Sequence, residues 1–174
     1  MRYALIREMD VSNGVGVGVS LFVQGCHFHC KGCFNPETWD FSGGNEWTSE
    51  TENKFIELAG KPYIKRISIL GGEPLADENV YDVMMLLKKI RRIYPDKKIW
   101  LYTGYTWESI SALYRKDFER CEALSYVDVL VDGQFQLDKQ DTLNREIVFA
   151  GSTNQRIIDV QKSIASGSII PFQP

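Results

Sequence analysis

The sequence predicts an α/β fold: a partial, open (β/α) barrel of about five or six mainly parallel strands, forming a single domain over residues 1–174. Three observations predict it. Strand-like and helix-like segments alternate along the chain, which calls for parallel strands joined by right-handed crossover helices. The 174 residues fall short of the roughly 250 that a complete eight-stranded barrel takes. No repeat, low-complexity tract or Pro/Ser-rich linker offers a second domain a place to begin.

From Val15, residues Val15, Val17, Val19, Leu21 and Val23 alternate with Gly14, Gly16, Gly18 and Ser20, a two-residue period that reads as a strand running into Gly25-Cys26. The glycines on its other face let a neighbour approach the backbone closely. Ser49 followed by Glu52 resembles a capping box before an amphipathic helix to about Leu58. Arg66 to Leu70 reads as a buried strand ending at Gly71-Gly72-Glu73-Pro74. Asp77 is placed to cap a helix from about Glu78 to Tyr94, closed by Pro95. Lys98 to Tyr102 is a further strand, Thr106 caps a helix to about Arg115, and Val127 to Val131 is a strand before Asp132-Gly133. Four loops thus follow predicted strands and belong on one sheet edge: the cysteine loop, Gly71 to Pro74, Thr103-Gly104 and Asp132-Gly133.

Of the residues, 44% are apolar and 25% charged, with a net charge of −3 and a pI of about 5.5. This balance gives no footprint for nucleic acid or an anionic membrane. The most basic run, Lys88 to Arg92, reads as a solvated helix face. No apolar stretch approaches the roughly 20 residues of a membrane span, and the N-terminus lacks a signal-peptide pattern, so a cytoplasmic location is expected. In that reducing setting the four cysteines read as metal ligands or buried thiols rather than disulfides.

Three of them, Cys26, Cys30 and Cys33, have the spacing C-x3-C-x2-C, compact enough for one loop to wrap one metal centre. Three thiolates on a four-iron cubane leave one iron without a protein ligand and open to substrate. A structural zinc site needs four ligands, and Cys121, His27 or His29 offers a fourth, so spacing alone leaves that reading open. Cys121 lies in a helical stretch, Phe118 to Leu124, where a lone cysteine reads as a small buried apolar residue.

The C-x3-C-x2-C loop followed by Gly71-Gly72-Glu73-Pro74 resembles the radical-SAM superfamily. Leu21 to Cys26, Gly32 to Trp39 and Gly151 to Asp159 further resemble the glycyl-radical activases, specifically the activators of anaerobic ribonucleotide reductase. The resemblance spans nearly the whole chain and implies a [4Fe-4S] cluster on Cys26, Cys30 and Cys33 together with S-adenosylmethionine. It implies an adenine-side contact at Gly32, Cys33 and Phe34, and a contact of Gly71, Gly72 and Glu73 with the methionine amino group. Thr103 and Asp132, at their strand ends, are placed to reach the ribose or the methionine end. The implied partners are the large subunit of the reductase, which receives a glycyl radical, and an external one-electron donor such as flavodoxin. Two departures stand out. Gly32 replaces the aromatic residue common before the third cysteine, and Gly14-Val15-Gly16-Val17-Gly18 replaces a Gly-Pro-Gly-x-Arg-like stretch, without its arginine. Asn154-Gln155-Arg156 is a candidate for a carboxylate, a partner or local backbone. The compact synthases of 7-deazaguanine biosynthesis and a zinc-binding interaction module are the competing classes.

Overall fold

The computed structural model describes residues 1–112, 118–140 and 149–173. Seven strands form one open sheet in the order β3-β1-β2-β4-β5-β6-β7. They are β1 (Arg2–Asp10), β2 (Gly18–Val23), β3 (Asn45–Glu46), β4 (Arg66–Gly71), β5 (Lys98–Tyr102), β6 (Val129–Asp132) and β7 (Arg156–Asp159). The four central strands β2, β4, β5 and β6 run parallel. Both flanks are antiparallel, with β1 on β2, β3 on β1 and β7 on β6. The expected five or six mainly parallel strands are therefore corrected to seven in a mixed sheet. β1 and β2 are joined by residues 11–17 alone, and that short return gives an antiparallel pair.

Among the described residues five α-helices connect or follow the strands: α1 (Ser49–Gly60), α2 (Val80–Ile93), α3 (Trp107–Ala112), α4 (Phe118–Ser125) and α5 (Val160–Ser166). Their buried residues join Val19, Leu21, Val23, Ile67, Ile69, Ile99, Leu101, Leu130 and Ile158 in one core on a single sheet face. Alternation along each strand sends Ser20, Phe22, Arg66, Ser68, Trp100, Tyr102, Val129 and Val131 to the other face. There Trp100, Val129 and Val131 make a smaller apolar cluster with Phe149 and Phe172.

Several predicted boundaries move for identifiable reasons. Residues 11–17 form bends, and β2 begins only at Gly18, because Gly14 and Gly16 take positive φ values of 126° and 78°. The cap of α1 is Thr48, whose side chain accepts the N–H of Thr51, in place of Ser49. Asp77 does not cap α2; it pairs with Arg120 at 2.5 Å, and Asn79 takes the cap position. Thr106 does hold the start of α3, accepting from the N–H of Ser109 at 3.2 Å. The expected end of that helix, Arg115, lies outside the described residues. The basic run on α2 is tied down by acids: Lys88 to Glu122, Lys89 to Glu52 and Arg91 to Asp128. Among the described residues no helix is long and apolar enough to cross a membrane.

Candidate functional site

The parallel strands β2, β4, β5 and β6 end on one edge, and the loops that follow them surround a cleft of about 390 Å³. That volume suits a small-molecule ligand, for which roughly 300–1,000 Å³ is usual. Cys26, Cys30, Cys33, Phe34, Gly71, Gly72, Glu73 and Thr103 all line it. Gly32 and Asp132 are not among its lining residues.

The cysteine loop is pinned where it leaves β2. The N–H groups of Gly25 and Cys26 donate to the carbonyls of Thr38 (2.7 Å) and Trp39 (3.1 Å), and buried Gln24 donates to the carbonyls of Glu37 and Asp40. His29 and Gly32 adopt positive φ of 47° and 76°, and the N–H of Cys33 donates back to Cys30 at 3.0 Å. The strand turns thereby bring all three thiols to one wall. Burial pushes the Cys26 thiol up, opposed by the N–H groups of Phe28 and His29; burial likewise raises Cys30, opposed by the N–H of Phe135. The N–H of Asn35 donates to the Cys33 sulfur at 3.4 Å. Cys121 stands apart on α4, packed against the helix-side core, with its sulfur 3.7 Å from the carbonyl of Ile110.

These features fit an iron–sulfur cluster. Half-buried thiols that already receive backbone N–H donors are stabilised as thiolates once a metal supplies positive charge, and such donors tune cluster potential. Among the described residues no three His, Cys, Asp or Glu side chains are grouped tightly enough for one metal ion as they stand, the three cysteines included. Aromatic rings wall the cysteine loop: Trp39 stacks on His29 at 4.7 Å, Phe34 meets Phe135 at 5.0 Å and Phe28 meets Tyr105 at 5.0 Å. Two polar atoms of cleft residues, Trp39 Nε1 and Tyr102 Oη, are buried and have no partner among the described residues. Unsatisfied polar atoms at a cleft wall fit a site made for a ligand.

The second motif builds the floor. A Cβ on Gly72 would overlap the carbonyl oxygen of Gly25 and lie 2.9 Å from its carbon, so glycine lets the β4 turn touch the cysteine loop. The N–H of Gly72 donates to Val23 and that of Glu73 to Gly25, at 2.9 and 2.7 Å. The Glu73 side chain, 1% exposed, works inside the protein. Its Oε1 accepts from the Leu75 N–H (2.8 Å) and the Thr103 hydroxyl (2.7 Å), and its Oε2 accepts from the Gly104 N–H (2.7 Å). Burial pushes its carboxyl up to about 7, against the pull of those donors and of Arg120. Glu73 and Thr103 therefore fasten the ends of β4 and β5 together beneath the cleft.

Asp132 lines a second pocket, with Glu108, Gly133 and Arg156. It accepts the Trp107 N–H at 2.7 Å, as a cap for α3, and forms a two-pronged pair with Arg156. Arg156 also grips Glu108, holding that carboxyl down at about 2. In the same segment Gln155 ties Gly133 to Gly151 and Ser152, and Asn154 donates to the Gln134 carbonyl. This segment thus orders local backbone. His27 pairs with Glu78 at 2.9 Å on the surface. Residues that sequence reasoning missed as cleft lining include Asn13, Phe28 and Tyr102, of which Tyr102 carried a signal as the last residue of a strand whose neighbours end in site loops; Gln155, from the Asn154-Gln155-Arg156 segment, also lines the cleft.

Residues 12–158 match the family model described as a 4Fe-4S single cluster domain. The chain is 40% identical over 159 residues to the anaerobic ribonucleoside-triphosphate reductase-activating protein of Vibrio cholerae, covering 90% of this chain and 97% of that one. It is 36% identical over 157 residues to the proteins of the same name from Escherichia coli K12 and bacteriophage T4. These matches cover 89% and 90% of this chain and 96% and 93% of theirs.

Proposed function

The chain belongs to the family of anaerobic ribonucleoside-triphosphate reductase-activating proteins and carries its 4Fe-4S single cluster domain; from that premise we propose that it is a radical-SAM activating enzyme that installs a glycyl radical on the large subunit of the anaerobic ribonucleotide reductase. One observation carries the reading. Cys26, Cys30 and Cys33 open into the same cleft as the Gly71-Gly72-Glu73 turn, while Cys121 lies elsewhere. Three protein thiolates leave one iron of a cubane for the methionine end of S-adenosylmethionine.

When bound, the cluster and S-adenosylmethionine supply reductive cleavage of the sulfonium C–S bond, giving a 5′-deoxyadenosyl radical able to take hydrogen from a glycine Cα. The chain's own part is positional. Cys26, Cys30 and Cys33 hold the cluster, and the N–H groups of Phe28, His29, Phe135 and Asn35 steady their sulfurs. Gly71 and Gly72 let the β4 turn pack against Phe22 and the cysteine loop so that its backbone floors the cleft for the methionine group, and Glu73 with Thr103 keeps that backbone in place. Phe34, at the rim, offers a ring face on the adenine side, with Gly32 and Cys33 supplying adjacent backbone. Trp39, Phe28 and Phe135 exclude water from the cysteine wall. Asp132, at the end of β6, acts indirectly by anchoring α3 and Arg156. The electron comes from an external one-electron donor such as flavodoxin.

The test mixes the anaerobically reconstituted, reduced protein with S-adenosylmethionine and the reductase subunit and follows electron paramagnetic resonance. A glycyl doublet is expected on the subunit. Robust 5′-deoxyadenosine formation with no such doublet would turn the reading to a small-molecule substrate.

A further inference from the structure

One wall of the cleft is the loop that joins β1 to β2, represented by Ser12 and Asn13. That loop rests on Arg66, the first residue of β4, whose side chain is fully buried. Its Nη2 donates to the Asp10 carbonyl at 2.7 Å and faces the Asp10 carboxylate at 3.4 Å. Its Nη1 donates to the Asn13 carbonyl and to Ser68 Oγ, and Ser68 Oγ in turn donates to the same Asn13 carbonyl at 2.7 Å. The Asp10 carboxylate accepts from the N–H groups of Ser12 (2.7 Å) and Asn13 (3.0 Å) and from Asn13 Nδ2 (2.6 Å). One guanidinium therefore holds both the entry and the turn of the loop.

The space this guanidinium fills is created by a missing side chain. Gly18 and Arg66 are direct partners in the parallel register of β2 and β4, so their side-chain directions share a sheet face. A Cβ on Gly18 would stand 2.7 Å from Arg66 Cζ and 2.9 Å from Nη2. Gly14 accommodates the stem of the same arginine, and a Cβ there would also meet the Trp100 ring at 2.8 Å.

We propose that Arg66 fills from β4 the space that Gly18 leaves open on β2, and that it is a positioning residue fixing the Asp10–Gly16 loop as the cleft wall against which the reductase segment is presented. The role in presenting that segment rests on the activase reading; the placement of the loop does not. An arginine on either of two register-paired positions reaches the same space, and two arginines there would overlap. The arrangement is therefore exchangeable between strands: Gly18 requires Arg66, and a residue-66 glycine requires arginine at 18.

The experiment compares Arg66→Gly, Arg66→Lys, Gly18→Arg and the double variant Gly18→Arg/Arg66→Gly in anaerobically reconstituted protein. Amide hydrogen exchange at Ser12 and Asn13 reports the loop, and the KM for the reductase subunit, set against kcat, reports presentation. Arg66→Gly and Gly18→Arg are each expected to speed exchange at these amides about tenfold or more. They should also raise the KM for the subunit about fivefold, with a smaller fall in kcat. Arg66→Lys, which keeps the charge and loses the fork, should fall between. The double variant is expected to return both quantities to within about threefold of the parent. If Arg66→Gly does not fold, recovery of folding on adding Gly18→Arg carries the same conclusion. A folded double variant no better than its singles, or exchange unchanged in Arg66→Gly, would overturn the proposal. Should the parent give no glycyl radical, the exchange measurements still decide the placement of the loop, so failure of the activase reading is seen separately.

Discussion

Thr103→Val removes one hydroxyl from the junction beneath the cleft while nearly preserving volume. The Thr103 side chain, 6% exposed, donates to Glu73 Oε1 at 2.7 Å and accepts the Tyr105 N–H at 3.1 Å. A buried hydrogen bond to an ionised group contributes about 1.5–3 kcal/mol. Taking about 2 kcal/mol and a urea m-value of about 2 kcal/mol/M, the unfolding midpoint should fall by about 1 M. The effect must depend on pH. Glu73 moves from its ordinary 4.5 up to about 7 on folding. A group raised in this way contributes stability that is fully present below about 4.5 and lost as pH rises through about 7. Removing a donor to the ionised carboxylate raises Glu73 further, so the gap between variant and parent opens above about pH 7 and narrows below it. The assay is anaerobic urea unfolding followed by tryptophan fluorescence at about pH 5.5 and about pH 8.5, with less than half the full shift expected at the lower pH. An equal shift at both pH values would refute the link to Glu73 ionisation. No shift at either would mean that the hydroxyl serves a bound ligand rather than the strand junction.

Two further outcomes follow from the same geometry. Gly72→Ala forces a methyl group against Gly25 at the base of the cysteine loop; overpacking of this kind costs about 1–3 kcal/mol, which at 2–4 °C per kcal/mol lowers Tm by about 4–8 °C for a 2 kcal/mol cost, and iron retention should fall with it. Alanine at Cys26, Cys30 or Cys33 should each abolish 5′-deoxyadenosine formation under dithionite, whereas Cys121→Ala, on the far side of the sheet from the cleft, should retain it; full loss in a folded Cys121→Ala protein would contradict a three-cysteine site.

The central strands were legible because their side chains are buried on both faces and read as apolar runs: Lys98–Tyr102 matches its predicted limits and Arg66–Gly71 differs by one residue. The gathering of cysteine loop, Gly71–Glu73 and Thr103 on one edge followed from each lying after a parallel strand. What escaped were the antiparallel edges. Strand β1 exposes Leu5 and Met9, so its pattern lacks a clean alternation, and β7 is only four residues long. The repeat of valine and glycine before Gly18 has the period of a strand, yet positive φ at Gly14 and Gly16 makes it a bent loop around Arg66. Long-range pairings were invisible for a simpler reason. Glu73, Asp77, Asp132 and Arg66 each have partners between 24 and 56 residues away in sequence, so a strand-end carboxylate such as Asp132 gives no local sign that Arg156 and the Trp107 N–H already occupy it.

The proposed function depends most directly on what Cys26, Cys30 and Cys33 hold. Anaerobic reconstitution followed by metal and sulfide analysis should give brown protein with about four iron and four sulfide per chain, and its reduced-cluster resonance should shift when S-adenosylmethionine is added, as an iron without a protein ligand requires. Colourless protein with one zinc per chain, or a cluster resonance indifferent to S-adenosylmethionine, would contradict it.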